Sequence, residues 1–330
     1  MKVMAFSARP DESDFFDYFS NKLDINLTKN KNGLSIDNVD VTEGYEGLSC
    51  VGTCDLSAPV LEKLAKNGVK YVALRTVGYD NVDMEAAARL GIRISNAGYS
   101  PYAVANYTVM LMLMCIRKGL YIMMRSHTAD MSLGSARGME MQNMTVGIIG
   151  TGRIGKAVIK NLSGFGCKIL AYDIHEDKNL TGAEYVSLDE LYAKCDIISL
   201  HTYLSAETEH MINEEAINKM KDGVILINAA RGALVDTKAL IAGIENGKIG
   251  GAGIDCFEGE DDVIRADHNY DRRVTNHDYI ILKSFQNTVV TPHVAFFTDQ
   301  AVSDMVECSL SSLSQFGKGE NVPMEVHSHH

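Results

Sequence analysis

Three stretches of the sequence each carry a strand-like apolar run into a side chain that can handle a proton or a carboxylate. GVILINAARGALVD (223–236) reaches Arg231, and GAGIDCFEGED (251–261) ends in a carboxylate cluster containing Glu258 and Glu260. NTVVTPHVAFFT (287–298) sets His293 among Val289, Val290, Val294, Ala295, Phe296 and Phe297. Taken singly, each has an ordinary explanation: a core histidine bonded to backbone carbonyls, an arginine in a surface ion pair, a solvated glutamate. Taken together they describe one task. An arginine fork grips a planar carboxylate or polarises a carbonyl. A histidine in dry surroundings donates a proton to an oxygen that gains a hydride. A glutamate behind the ring orients it and favours its charged form. On residue pattern alone, Glu258 and Glu260 are equal candidates for that place. His201, after DIISL, also stands at a strand end and reads as a cofactor-side or structural residue.

A hydride needs a donor, and TVGIIGTGRIGKAVIKNL (145–162) supplies its site. Gly150, Gly152 and Gly155 have G-x-G-x-x-G spacing between a strand and a helix, and a second strand ends in Asp173. That context makes a dinucleotide fingerprint of a pattern that is weak alone. The glycines let the backbone approach a pyrophosphate, and the helix N-terminus favours its charge. A carboxylate at Asp173 accepts from ribose hydroxyls and repels a 2′-phosphate, so NAD is expected rather than NADP.

The elements that must hold these residues alternate along the chain. KVMAFS, GLSCVG, KYVALRT and GIRISN read as strands, separated by the helical stretches ESDFFDYFSNKL, SAPVLEKLAKNG and DMEAAARLG. NAGYSPYAVANYTVMLMLMCIRKGLYIMMRS (96–126) reads as one long helix, capped by Ser100 with Pro101 in its first position. Its methionine stripe suits core or a subunit interface. From 144 a second α/β unit runs through TVGIIG, KILAYD, DIISLH, GVILINAA, GAGIDCF and TVVTP, and a closing helix follows over 298–316. SLDELYAKC opens with Ser187 and Glu190 in capping-box spacing. The expected architecture is α/β, with two Rossmann-like or flavodoxin-like doubly wound parallel-sheet domains and an active-site cleft between them. Residues 1–100 with 299–330 form a discontinuous substrate-binding domain, and 101–298 form the NAD-binding domain.

Composition narrows the alternatives. The chain has 330 residues, 46% hydrophobic and 22% charged, so two globular cores are the natural expectation. A net charge of −12 without a basic run argues against nucleic acid and anionic membranes as partners. The apolar segment YTVMLMLMCI is too short to span a bilayer. Seven scattered cysteines, with no second Cys/His pair to complement Cys50 and Cys54, read as reduced cytoplasmic thiols, and no metal site is expected. The final HSHH reads as a tag-like remnant and carries no argument.

With VGIIGTGRIG, GFGCKILAYD, INAARGALVDTKAL, GKIGGAGIDCFEGE and VVTPHVAFFT in view, the sequence resembles the D-isomer-specific 2-hydroxyacid dehydrogenases over nearly its whole length. LRTVGYDNVDM and NAGYSPYAVANYTVML fit as well, and the D-lactate branch looks nearest, with the vancomycin-resistance branch beside it. The resemblance implies a substrate-binding Arg231, a supporting Glu260 and a proton-donating His293. It puts Arg153, Ile154, Asp173, Thr208, Ala229 and Asp255 around NAD, with Thr202, Tyr203 and Ala230 on the same loops. Val77, Gly78, Tyr99 and Phe296 fall to the substrate, a small 2-keto or 2-hydroxy acid. A homodimer is likewise a family expectation. The leading reading is NADH-dependent reduction of pyruvate to D-lactate. The alternatives are bulkier branched or aromatic 2-keto acids and, on the same fold, an NAD(H)-sensing binding protein, which would not need the proton relay. Three departures matter. HTYL has Tyr203 where the family usually has proline, Phe297 stands where relatives often have tyrosine, and Val51 lies near another such tyrosine. The last two make the pocket less polar or roomier.

Overall fold

The computed structural model describes residues 1–260, 263 and 274–327. Asp261 of the acidic stretch and residues 328–330 of the closing histidine-rich segment lie outside them. Its contacts divide the chain into two compact units, Met1–Ser100 with Phe297–His330, and Pro101–Phe296.

The first unit is built on β1 (Lys2–Ala5), β2 (Asn26–Lys29), β3 (Gly47–Cys50), β4 (Tyr71–Leu74) and β5 (Arg93–Ser95), in the parallel order β2-β1-β3-β4-β5. This is the flavodoxin-like order. A short strand, Glu325–Val326, adds antiparallel to β5. Alternation along β1 explains the two covering layers. Val3 and Ala5 join Phe16, Val306, Leu310 and Leu313, from helices Ser13–Lys22 and Asp299–Lys318. Met4 points the other way, into the cluster with Leu61, Leu64 and Ala87 from helices Ala58–Lys66 and Met84–Leu90. The polar edge strand β2 is absent from the sequence reading because NLTK has no apolar alternation to announce it. At the carboxyl ends of β1, β3 and β4 sits the fully buried Arg75. It donates to Glu12 Oε1 (2.9 Å), the Phe6 carbonyl (2.8 Å) and the Ser49 carbonyl (3.0 Å), tying together the edge from which Val51 and Val77 emerge.

The second unit carries β6 (Thr145–Ile149), β7 (Lys168–Tyr172), β8 (Glu184–Tyr185), β9 (Ile197–Leu200), β10 (Val224–Asn228), β11 (Ile249–Ile254) and β12 (Thr288–Val290). All are parallel, in the order β12-β11-β10-β9-β6-β7-β8. Helices Tyr102–Ile116 and Arg153–Leu162 close one face of this sheet, and Leu188–Lys194, Glu214–Lys219 and Thr237–Glu245 close the other. Coverage on both faces is why β9 and β10 are apolar without alternation. Ser187 caps its helix by accepting from the Glu190 amide.

The expected long helix is two. Tyr102–Ile116 and Gly119–His127 meet at a 66° bend, with Lys118 in the left-handed region at φ 51°. The Ile116 carbonyl, which a continuing helix would bond to Leu120, accepts from the Met139 amide instead. Ser100 is not the cap either. The cap position is Pro101, with helical backbone and no capping side chain, while the Ser100 amide donates to Asp304. Among the described residues no single helix is long and apolar enough to cross a membrane, and the seven cysteines form no disulfide.

Candidate active site

At the carboxyl end of β6 the chain turns into the Arg153–Leu162 helix through the three glycines. Gly150 takes φ +94°, and a Cβ there would lie 2.6 Å from the His201 carbonyl group; a Cβ at Gly155 would lie 2.0 Å from the Gly150 oxygen. Those two glycines are demanded by the turn itself. Gly152 is different: a Cβ there meets nothing within 4 Å. The protein leaves open space at the N-terminus of a helix with no side-chain cap, which is what an approaching pyrophosphate requires. Asp173, past β7, accepts from the Thr151 amide (2.6 Å) and the His175 amide (2.9 Å). Burial alone would raise its pKa, but these amides outweigh that and hold it below the ordinary carboxylate value. The carboxylate is thus an anion beside the glycine turn, with acceptor capacity left for ribose hydroxyls. The residues present fit a dinucleotide.

The rest of the cofactor expectation is distributed unevenly. Arg153 is exposed, and Ile154 packs partly into the core. Thr202 is half-buried and Tyr203 exposed. Thr208 uses its hydroxyl internally, donating to the Tyr203 carbonyl and accepting from the Ser205 amide, so it shapes the 203–208 loop. Ala229 and Ala230 are half-buried after β10, and the Ala230 amide is held by the Asn228 side chain.

Asp255 stands at the exit of β11, enclosed by the turn that carries His293. It has no exposed surface, and its carboxylate accepts from Thr291 Oγ1 (2.5 Å), the Val294 amide (3.0 Å) and the Ala295 amide (2.9 Å). Its work lies behind the 291–295 turn, where its own carbonyl also accepts from the His293 amide (2.9 Å). His293 sits in this turn at φ 52°, a left-handed backbone that a non-glycine residue adopts only when its surroundings enforce it.

His293 Nδ1 lies 2.5 Å from Glu260 Oε1, and Glu260 Oε2 accepts from the Phe257 amide at 3.0 Å. Glu258 is engaged elsewhere, with His210 (2.6 Å) and the Thr237 amide and hydroxyl. Of the two candidates, Glu260 reaches the ring. Phe296 lies edge-on to His293, 6.3 Å between ring centroids. Arg231 follows β10, its guanidinium donating to the Ala230 carbonyl (2.9 Å). His201 bonds Ser199 (2.8 Å) on its own strand, and burial pushes its imidazole down to about 4. It is a neutral ring locked to β9, apart from the Glu260–His293 pair.

Sequence reasoning missed Asn228, Thr291 and Gly232. Buried Asn228 donates to both the Arg231 and Cys256 carbonyls, pinning the exits of β10 and β11 together. A Cβ on Gly232 would come within 2.2 Å of the Phe257 carbonyl carbon, so the arginine turn must lie directly on the strand exit that leads to Glu260. The signals were an asparagine closing an apolar run and a glycine after the arginine. In the first unit, Val51 is buried after β3; Val77 is exposed after β4, and its carbonyl accepts from Asn96 (2.8 Å). The Gly78 carbonyl is held by Thr76 (2.7 Å), and Tyr99 is half-buried after β5. Phe297 is half-exposed beneath the Arg9 guanidinium, 5.7 Å from its ring centre.

Residues 109–295 match the family model described as D-isomer specific 2-hydroxyacid dehydrogenase, NAD binding domain. The chain is 44% identical over 322 residues to an aromatic 2-oxoacid reductase of Clostridium sporogenes, covering 96% of each protein. It superposes on the solved structure of a D-2-hydroxyisocaproate dehydrogenase with TM-score 0.88 and 36% identity, over 99% of this chain and 100% of that one. A D-lactate dehydrogenase of Lactobacillus jensenii, solved with NAD+, gives TM-score 0.84 and 33% identity over the same shares.

Proposed function

This chain belongs to the D-isomer-specific 2-hydroxyacid dehydrogenases, NAD-dependent oxidoreductases acting on CH–OH, and from that premise we propose that its substrates are bulky aromatic or branched 2-oxo acids rather than pyruvate. The carrying observation is Val51, buried at the exit of β3. A small apolar side chain near a place where relatives often have tyrosine offers no hydroxyl that an apolar substrate would leave unpaired. The likeness to an aromatic 2-oxoacid reductase and the half-exposed phenyl ring of Phe297 support the same reading.

Bound NADH would supply the hydride to the carbonyl carbon, held along Gly150, Gly152, Gly155 and Asp173. Arg231 grips the substrate carboxylate with its planar fork and keeps the carbonyl aligned. Val77, Gly78 and Tyr99 hold the remainder of the substrate. His293 gives its proton to the carbonyl oxygen as negative charge develops there. Glu260, at 2.5 Å, fixes the ring through Nδ1 and leaves Nε2 for the substrate. The decisive experiment compares kcat/KM for phenylpyruvate, 2-ketoisocaproate and pyruvate with NADH. A preference for phenylpyruvate over pyruvate of about tenfold or more is expected, the scale of apolar pocket discrimination. A preference for pyruvate overturns the proposal.

The functional form is proposed to be a homodimer. Ile122, Met123, Met124, Met131 and Leu133 expose apolar surface over one short stretch of chain, as an unpaired interface would. Sedimentation at micromolar concentration should give a dimer, and a monomer would refute it.

A further inference from the structure

We infer that Cys256, Glu260 and His293 form a site for a thiophilic divalent cation, Zn2+, whose binding switches the enzyme off. Each of the three offers one ligand atom, and these atoms all lie within 4.8 Å of one another. The cluster lies wholly within the second unit, on the exits of the adjacent strands β11 and β12. A thiolate, an imidazole nitrogen and a carboxylate oxygen are the three donor types that zinc takes together in tetrahedral sites, the fourth position falling to water. The thiolate disfavours magnesium and calcium, which bind oxygen. The spacing, C-x-x-x-E with the histidine 33 residues further on, matches no local zinc pattern and could not be read from the sequence.

The geometry also says what the cation would do. Its natural contact on the ring is Nδ1, now occupied by Glu260 Oε1 at 2.5 Å. A cation seated among the three separates that pair, displaces the Nδ1 proton to solvent and takes the Nδ1 lone pair. The ring then keeps a single proton, on Nε2, whose release would leave an imidazolate instead of a neutral imidazole. Proton donation stops while the dinucleotide loop, which shares no residue with the cluster, is untouched. The Cys256 thiol gives up its proton to bind. Cys256 has no step in the reaction proposed above, so its conservative replacement separates metal binding from turnover. Inhibition, unlike binding, rests on the reading of His293 as proton donor.

The test uses the full chain, NADH and phenylpyruvate, with zinc chloride titrated in chelator-free buffer. Zinc should inhibit the unmodified enzyme reversibly, with activity restored by EDTA. Cys256→Ser should turn over within about twofold of the unmodified rate yet need about tenfold more zinc or higher, the scale expected when metal coordination is impaired. Cys256→Ala serves if the serine variant does not fold. The histidines near the C-terminus can also take zinc, but they are common to every variant, so the difference between variants reports on Cys256 alone. Co2+ gives a second readout: the unmodified protein should show a thiolate-to-cobalt charge-transfer band that is missing in Cys256→Ser. Equal zinc sensitivity in both proteins, or no cobalt band in the unmodified one, overturns the site and leaves the reading of His293 untouched. A cobalt band accompanied by undiminished turnover in the metal-loaded protein overturns the inhibitory claim together with that reading.

Discussion

Asp255→Asn isolates the buried carboxylate that holds the His293 turn. The native side chain satisfies three donors: Thr291 Oγ1, the Val294 amide and the Ala295 amide. An asparagine has one acceptor oxygen. Turned toward Thr291 and Val294, it points its NH2 at the Ala295 amide; flipped, it strands the Val294 amide. Stranding a buried N–H by removing its acceptor costs about 1–3 kcal/mol, and a loss of that size is expected. The turn it loosens carries His293 at φ 52°, and relaxation toward ordinary backbone would displace the ring. A displacement of about 1 Å lowers kcat by about 100-fold. Urea unfolding measures the first effect and steady-state kinetics the second, with NADH binding by fluorescence expected to change little. A variant with an unchanged unfolding midpoint and near-normal kcat would refute the idea that Asp255 positions His293.

Other substitutions test the remaining parts. Arg231→Lys keeps the charge but loses the planar two-point grip, so both KM and kcat should suffer, and near-normal kinetics would mean that another residue holds the substrate. Asp173→Ser should narrow the preference for NADH over NADPH by removing repulsion of the 2′-phosphate; equal use of both cofactors by the unmodified protein would overturn the role of Asp173. His201, lowered by burial to about 4 from 6.5, makes stability depend on pH. As pH falls below about 6.5 the unfolded chain protonates first, so folding loses stability down to about pH 4, by at most about 3 kcal/mol and less because the residue is partly exposed. His201→Gln should be spared that loss, and parallel stability–pH curves for the two proteins would refute it.

The residues with chemistry were legible because each follows an apolar strand, and parallel strands bring their carboxyl ends to one edge. Arg231, Glu260 and His293 follow β10, β11 and β12, which are neighbours in the sheet. Choosing Glu260 over Glu258 required the resemblance, since nothing local distinguishes two glutamates separated by one glycine. Asp255 was placed around the cofactor by the resemblance alone, with no local pattern behind it. Its enclosure depends on amides of a turn some 40 residues away, a contact that no periodicity encodes. The helix break at Lys118 was hidden for a similar reason. The apolar pattern runs through it, and the partner that takes the Ile116 carbonyl arrives from residue 139. Strand β8, only two residues long, is too short to leave a pattern.

The sheet of the first unit is made from the first hundred residues, but part of its cover comes from the end of the chain. Val306, Leu310 and Leu313 pack on Val3, Ala5 and Ala73, and Glu325–Val326 completes the edge beside β5. The second unit is continuous from 101 to 296. During synthesis at about 5–20 residues per second, the first sheet must therefore wait tens of seconds for its last helix, with apolar surface uncovered, while the segment made after it can fold on emergence. The first sheet is thereby the last to be completed, although its strands are made first. A chain ending at residue 296 and released from the ribosome would hold every strand of the dinucleotide-binding unit and an unfinished partner, and chaperone dependence should fall on the part that was made first.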